Sequence, residues 1–157
     1  MGTVRVVEDA EIEWHGGDPE MIEKMRARGI EFTPEELAGR TREHHLGSDT
    51  APELFEVRFQ PDTVVNSHAH LRDEIIFVVE GTLILGSRVL MPGSSVYIAA
   101  NTLYSFRAGP EGVRFVNFRP TAGAGYVSKE EFMANRAPRD GASARTAAST
   151  TASSIPT

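Results

Sequence analysis

The feature that most constrains this chain is a change of period at about residue 53. From there to about residue 120, short runs rich in β-branched and aromatic residues recur at even spacing (54–60, 75–80, 82–85, 96–98, 103–107 and 113–118). Turn-forming groups separate them: Gln60-Pro61-Asp62, Glu80-Gly81, Met91-Pro92-Gly93 and Gly109-Pro110-Glu111-Gly112. No helical repeat intervenes. Many short strands without helices between them predict a mostly β fold, an antiparallel sandwich or barrel. Within Glu74-Ile75-Ile76-Phe77-Val78-Val79 strict alternation puts Glu74, Ile76 and Val78 on one face and Ile75, Phe77 and Val79 on the other. Gly81 is expected to give a tight turn into Thr82-Leu83-Ile84-Leu85.

The flanks read differently. Asp18, Pro19 and Glu20 have the order of an N-cap, a first-turn proline and a first-turn acid, and Gly29 supplies a stop. Met21, Ile22 and Met25 give that helix one apolar stripe for packing. Thr33-Pro34-Glu35-Glu36 has capping-box spacing and predicts a second, very short helix, and Ser128-Lys129-Glu130-Glu131 predicts a closing helix to about Arg136. Three stretches follow: residues 1–50 with short helices packing on the barrel, 51–137 as the barrel and its closing helix, and 138–157, rich in Ala, Ser and Thr, as a disordered tail.

Several classes are excluded on composition. A chain of 157 residues suits one domain, and its 40% hydrophobic and 24% charged residues are those of a globular protein. The apolar run Ile75–Val79 is far too short to span a bilayer, so no membrane partner is expected. The opening MGTVRVVEDAEIEW turns acidic where a secretion signal needs an apolar core, and Val6 stands where a myristoylation site wants Ser or Thr. With no cysteine there are neither disulfides nor thiolate chemistry, which fits a cytoplasmic location. A net charge of -6 with scattered basic residues argues against a nucleic-acid partner.

The chemistry-bearing residues lie inside the β region. His68 and His70 are two apart, so on a strand both imidazoles leave one face, and Glu74 opens the next apolar run. Two imidazoles and one carboxylate can hold one side of a divalent metal and leave the other side open to water, substrate or dioxygen. That set suits non-haem Fe(II), and Zn, Mn, Co or Ni would also be held by it. The competing reading is a surface turn that merely contains His, Asp and Glu.

At these residues the sequence resembles a known family. PDTVVNSHAHLRDEIIFVVEG is similar to the first motif of the cupins, with its paired histidines, its glutamate and its closing glycine. GSSVYIAANTLYSFRA, from Gly93 to Ala108, resembles a degraded second motif: Ala99 replaces the usual proline, Asn101 the usual glycine, and Tyr104 the histidine that supplies the family's fourth metal ligand. The resemblance spans roughly residues 53–120. It implies a double-stranded β-helix with a metal near the barrel centre and does not imply a reaction, since cupins include dioxygenases, isomerases, lyases, decarboxylases and plain binding proteins.

Tyr104 leaves three readings open. Its phenolate completes the ligand set, or its hydroxyl moves a proton beside a three-ligand metal, or it fills space. By alternation it shares a face with Thr102 and Phe106, and Phe106 is a candidate substrate contact. Arg58 and Arg119 lie on predicted strands and are candidates to grip a substrate carboxylate or enolate. Asn66 and Arg72 flank the ligands and are placed to orient them, while Asn101 suits a turn. The adjacent His44 and His45 read as a solvent-exposed pair, and His15 beside Trp14 as a surface or packing residue. The expected function is a metal-dependent enzyme on a small organic molecule, of the Fe(II) dioxygenase class. The alternatives are a non-redox lyase or isomerase in which Tyr104 moves the proton, and a non-catalytic binding protein. An uncovered sheet edge is a hazard, and a two-fold homodimer is the expected assembly.

Overall fold

Two long, bent strands organise the molecule. The structure is a computed structural model that describes residues 2–136. Its strands are β1 (Arg40–His45), β2 (Glu53–Phe59), β3 (Val64–Ala69), β4 (Glu74–Leu85), β5 (Arg88–Leu90), β6 (Ser95–Ile98), β7 (Tyr104–Arg119) and β8 (Val127–Ser128). Every pairing among them is antiparallel. The second half of β7 lies between β2 and the first half of β4, which also pairs with β6, and β1 extends this sheet beyond β2. The first half of β7 pairs with β3 and with the end of β4, and this second sheet is completed by β5 and β8. Two sheets that share both long strands make a double-stranded β-helix, the jelly-roll barrel that the family resemblance implies.

The bend in β4 falls at Gly81. Its φ is +66°, and a Cβ there would come within 2.0 Å of the Gly112 carbonyl oxygen, so no larger residue fits the crossing of β4 and β7. The expected turn at Gly81 is therefore a bend: β4 runs on through it to Leu85, with register shifts on either side. Likewise Gly109–Gly112 lies inside β7 instead of ending a strand. Strands β1, β3, β5 and β8 were not among the predicted runs, and β1 stands within the segment read for its helices.

The alternation along β4 holds. Ile76 and Val78 are buried with Val65, Leu83, Phe106 and Phe115 in the barrel core, whereas Ile75 and Phe77 face outward. Burying such a side chain is worth about 1.5–3 kcal/mol, which fixes the face that Glu74 must share. The helices are α1 (Pro19–Ala27), α2 (Pro34–Leu37) and α3 (Lys129–Arg136). Asp18 caps α1 by accepting from Glu20 N at 3.0 Å, and Thr33–Glu36 and Ser128–Glu131 form reciprocal capping pairs. Glu36 also accepts from Asn66 N at 2.9 Å, which ties α2 to β3 just before His68. Among the described residues no helix is long and apolar enough to cross a membrane. The expected tail of residues 138–157 lies outside the described residues.

Candidate metal centre

The register of β7 assembles the site. His68 on β3 stands opposite Tyr104 at the start of β7. Asn117 and Arg119 at the other end of β7 lie beside the start of β4, where Glu74 is the first residue. His70 sits one residue past the end of β3. Together His68, His70, Tyr104, Phe106, Asn117 and Arg119 line a cavity of about 300 Å³ whose remaining wall is largely aromatic and aliphatic.

Both imidazoles are held the same way. His68 Nδ1 donates to the Asn66 carbonyl at 2.7 Å, and His70 Nδ1 donates to the Gly125 carbonyl. A carbonyl only accepts, so each Nδ1 carries the proton and each Nε2 keeps a lone pair. Burial pushes the His68 pKa down. Burial, followed by the Arg119 charge, pushes that of His70 down to about 4. Both rings are therefore neutral near pH 7. His68 stacks on Tyr126 with ring centroids 4.9 Å apart and an interplanar angle of 7°.

Glu74 is 1% exposed and lies behind the cavity wall. Its Oε1 accepts from the Tyr104 hydroxyl, and its Oε2 accepts from Asn117 Nδ2 at 3.0 Å and from Arg119 Nε and Nη2, both at 3.3 Å. Burial alone would raise its pKa, but His70, Tyr104, Asn117 and Arg119 outweigh burial and hold it below the usual carboxylate value. Burial and the facing carboxylate push the Tyr104 phenol far up, so it stays protonated and donates. Asn117 Oδ1 is a buried acceptor with no partner among the described residues.

The donor chemistry fits a divalent metal. Neutral imidazoles whose Nδ1–H groups go to carbonyls are what metal-ligating histidines need from their surroundings. A buried carboxylate with a hydrogen-bonded outer oxygen completes the set. As they stand, however, among the described residues no three His, Asp or Glu side chains converge as a metal-holding group. Arg119 lies at two of these residues instead, its Nη2 being 3.3 Å from Glu74 Oε2 and 3.4 Å from His70 Nε2.

The other candidates fall as follows. Arg58 is not at this cavity: on β2 it shares the outer face with Glu56, while Val57 and Phe59 face in. Its guanidinium stacks on Trp14, 4.4 Å from the ring centroid. Arg119, on the adjacent strand β7, has the inward parity. Asn66 orients His68 through its backbone carbonyl, and Arg72 turns away to Thr121. Asn101 has a positive φ of 59°, as a turn residue does. His44 is no solvent-exposed residue, since its Nε2 lies 2.8 Å from the buried Glu56. His15 pairs at the surface with Glu43. Sequence reasoning missed Asn117, Tyr126 and the Gly125 carbonyl. The parity of β7 could have signalled Asn117, two residues before Arg119, but nothing marks Tyr126 or Gly125.

No protein-family model matches the chain, and no curated protein matches it. Solved structures do. An RmlC-like cupin protein from Ralstonia eutropha superposes with a TM-score of 0.60 at 11% identity, over 85% of this chain and 84% of that one. A deletion mutant of Bacillus subtilis oxalate decarboxylase superposes with a TM-score of 0.50 at 15% identity, over 61% of this chain and 29% of that one. Likenesses at these identities concern the fold, and the fold they share is this barrel.

Proposed function

We propose that this chain, which has the cupin fold, is a metal-dependent enzyme acting on a small organic molecule with an acidic oxygen, of the non-haem Fe(II) dioxygenase class. The observation that carries the reading is the pair of neutral imidazoles, His68 buried and His70 half-buried, each fixed through Nδ1 so that Nε2 keeps its lone pair, beside a buried carboxylate. His68, His70 and Glu74 would hold the metal. When bound, a divalent metal on two histidines and one carboxylate supplies Lewis-acid polarisation of a substrate oxygen and sites open to dioxygen.

The chain's own groups divide the remaining work. Arg119 is the cation of the cavity wall and suits a carboxylate or enolate oxygen, which it would bind in charge-assisted fashion. Tyr104 keeps its proton at Oη and directs it to Glu74 Oε1, and its assigned role is proton transfer at the cavity wall once that O–H turns from Glu74 to the bound molecule. A group so positioned typically contributes about 10²–10⁴-fold in rate. Phe106 and its aromatic neighbours exclude water and accept the apolar part of the molecule. Asn117 Oδ1 offers one more acceptor, suited to a hydroxyl or amine beside the acidic oxygen.

The test is oxygen uptake by protein purified without oxygen and loaded with Fe(II), against a panel of diketones, phenolic ketones and hydroxy acids. Substrate-dependent uptake supports the dioxygenase class. Product formed without oxygen moves the reaction to the lyase and isomerase class, and tight binding without turnover moves the chain to the binding proteins. One observation favours that last reading: Tyr104 stands opposite His68, where the resembled family has a further histidine ligand.

The proposed assembly is a homodimer. On the outer face Tyr97, Ile75 and Phe118 stand side by side across β6, β4 and β7, with Phe77 next along β4. All four are more than a third exposed, from 38% for Phe118 to 62% for Tyr97, and an apolar patch of neighbours is a surface that a second copy would cover.

A further inference from the structure

We propose that Arg119 is a resident cation that holds the metal's place on Glu74 and His70 while the metal is absent, so that metal entry and Arg119 withdrawal are one event. The proposal rests on the reading that His68, His70 and Glu74 hold a divalent metal.

Three observations carry it. The same Arg119 nitrogen, Nη2, touches both Glu74 Oε2 and His70 Nε2, the two atoms a shared ion would need. Glu74 is covered by Arg119, Tyr104 and Asn117 and does not reach the cavity wall, and no three donor side chains among the described residues converge. Finally, Arg119 already has somewhere else to go. Glu53 is its direct partner across β2 and β7, Arg119 Nη1 lies 3.5 Å from Glu53 Oε2, and the guanidinium sits 5.0 Å from the centre of the Phe55 ring.

The electrostatics follow. A buried carboxylate needs a counter-charge, and without a metal the guanidinium supplies it. A divalent ion on the same oxygen and a guanidinium within about 4 Å of it repel strongly where water is scarce. One of them must leave. The Arg119 contacts to Glu74, at 3.3 Å, are longer than the about 2.7–2.9 Å of a strong charge-assisted bond, so this side of the exchange is cheap to break. Glu53 and the Phe55 face keep the released cation at the wall, where it meets the acidic oxygen of a bound molecule. Metal and an anionic ligand should then each raise the other's affinity, because both act on one arginine.

The experiment is calorimetric titration of the metal-free protein with Co(II), comparing the unmodified chain with Arg119→Gln, Arg119→Lys and His68→Ala. Arg119→Gln removes the charge but keeps an N–H donor for Glu74, so its fold is checked by circular dichroism beside Arg119→Lys. The expected result is Co(II) bound about tenfold or more tightly by Arg119→Gln, affinity near the unmodified value for Arg119→Lys, and loss of binding in His68→Ala. Equal or weaker binding by Arg119→Gln, with His68→Ala still losing the ion, overturns the competition while leaving the metal site standing. No Co(II) taken up by any protein, Arg119→Gln included, overturns the metal reading as well.

Discussion

Two buried glutamates on different strands have been treated in opposite ways. Glu56 on β2 is 3% exposed, and its oxygens meet Arg42 Nε at 2.5 Å, Arg114 Nη1 at 2.6 Å and His44 Nε2 at 2.8 Å. Burial would raise its pKa, and these three partners reverse that and hold it low. Glu74 on β4 is 1% exposed, but its short contact is to a neutral phenol, its next to a neutral amide, and its one cation among the described residues stands at 3.3 Å. The neighbouring Asn117 Oδ1 has no partner at all among the described residues. Glu56 is a closed ion cluster that pins β1, β2 and β7 together. Glu74 is balanced loosely, as a group must be if it is to exchange one cation for another. Buried charge alone therefore does not mark a functional site; the quality of its neutralisation does.

The comparison breaks if the two clusters answer alike to substitution. Glu56→Ala leaves two arginines of a buried cluster without their anion and should cost about 3–5 kcal/mol of stability, read from the urea midpoint. A loss under about 1 kcal/mol, the value of a surface pair, would make Glu56 ordinary. At the other cluster the loss should fall on activity. Tyr104→Phe removes the proton at the cavity wall but keeps the ring beside His68, and turnover should fall by about 10²–10⁴-fold while the metal is retained. Full activity in that variant would leave Tyr104 as packing.

A third outcome sharpens the contrast through pH. His68 and His70 have folded pKa values below their ordinary 6.5, with His70 at about 4. The unfolded chain thus takes up these protons at higher pH than the folded one, and acid favours unfolding. The metal-free protein should lose stability as pH falls from about 6.5 towards about 4, and His70→Gln should flatten that part of the curve. An unchanged curve for His70→Gln would contradict the half-buried, neutral imidazole. The smallest effect concerns assembly: Phe77→Lys on the outer face should shift a dimer towards monomer in light scattering at micromolar concentration, with the barrel intact. A monomeric unmodified chain would remove the dimer.

Much of this was legible in the residues because one stretch holds most of it. Glu74, Ile76 and Val78 were readable as sharing a face, but Ile75, Phe77 and Val79 make the other face just as apolar, so only the structure shows that Glu74 points inward. The arginines were not separable, because Arg58 and Arg119 both sit on strands and only the observed register of β2 against β7 gives them opposite parity. Strand β1 was missed for a related reason. Arg40-Thr41-Arg42-Glu43-His44-His45 is polar along its length, since its side chains at Arg42 and His44 serve Glu56 instead of the apolar core. The carbonyls of Asn66 and Gly125 that set the two histidines belong to the backbone, and no side-chain pattern announces them.

The most direct test of the central claim is the metal content of the protein purified without oxygen and without a nickel column, beside His68→Ala and Glu74→Gln prepared identically. The account predicts one divalent ion per chain in the unmodified protein and none held by either variant, all three remaining folded. No ion in the unmodified protein, or an ion kept by His68→Ala, would contradict a metal centre on His68, His70 and Glu74.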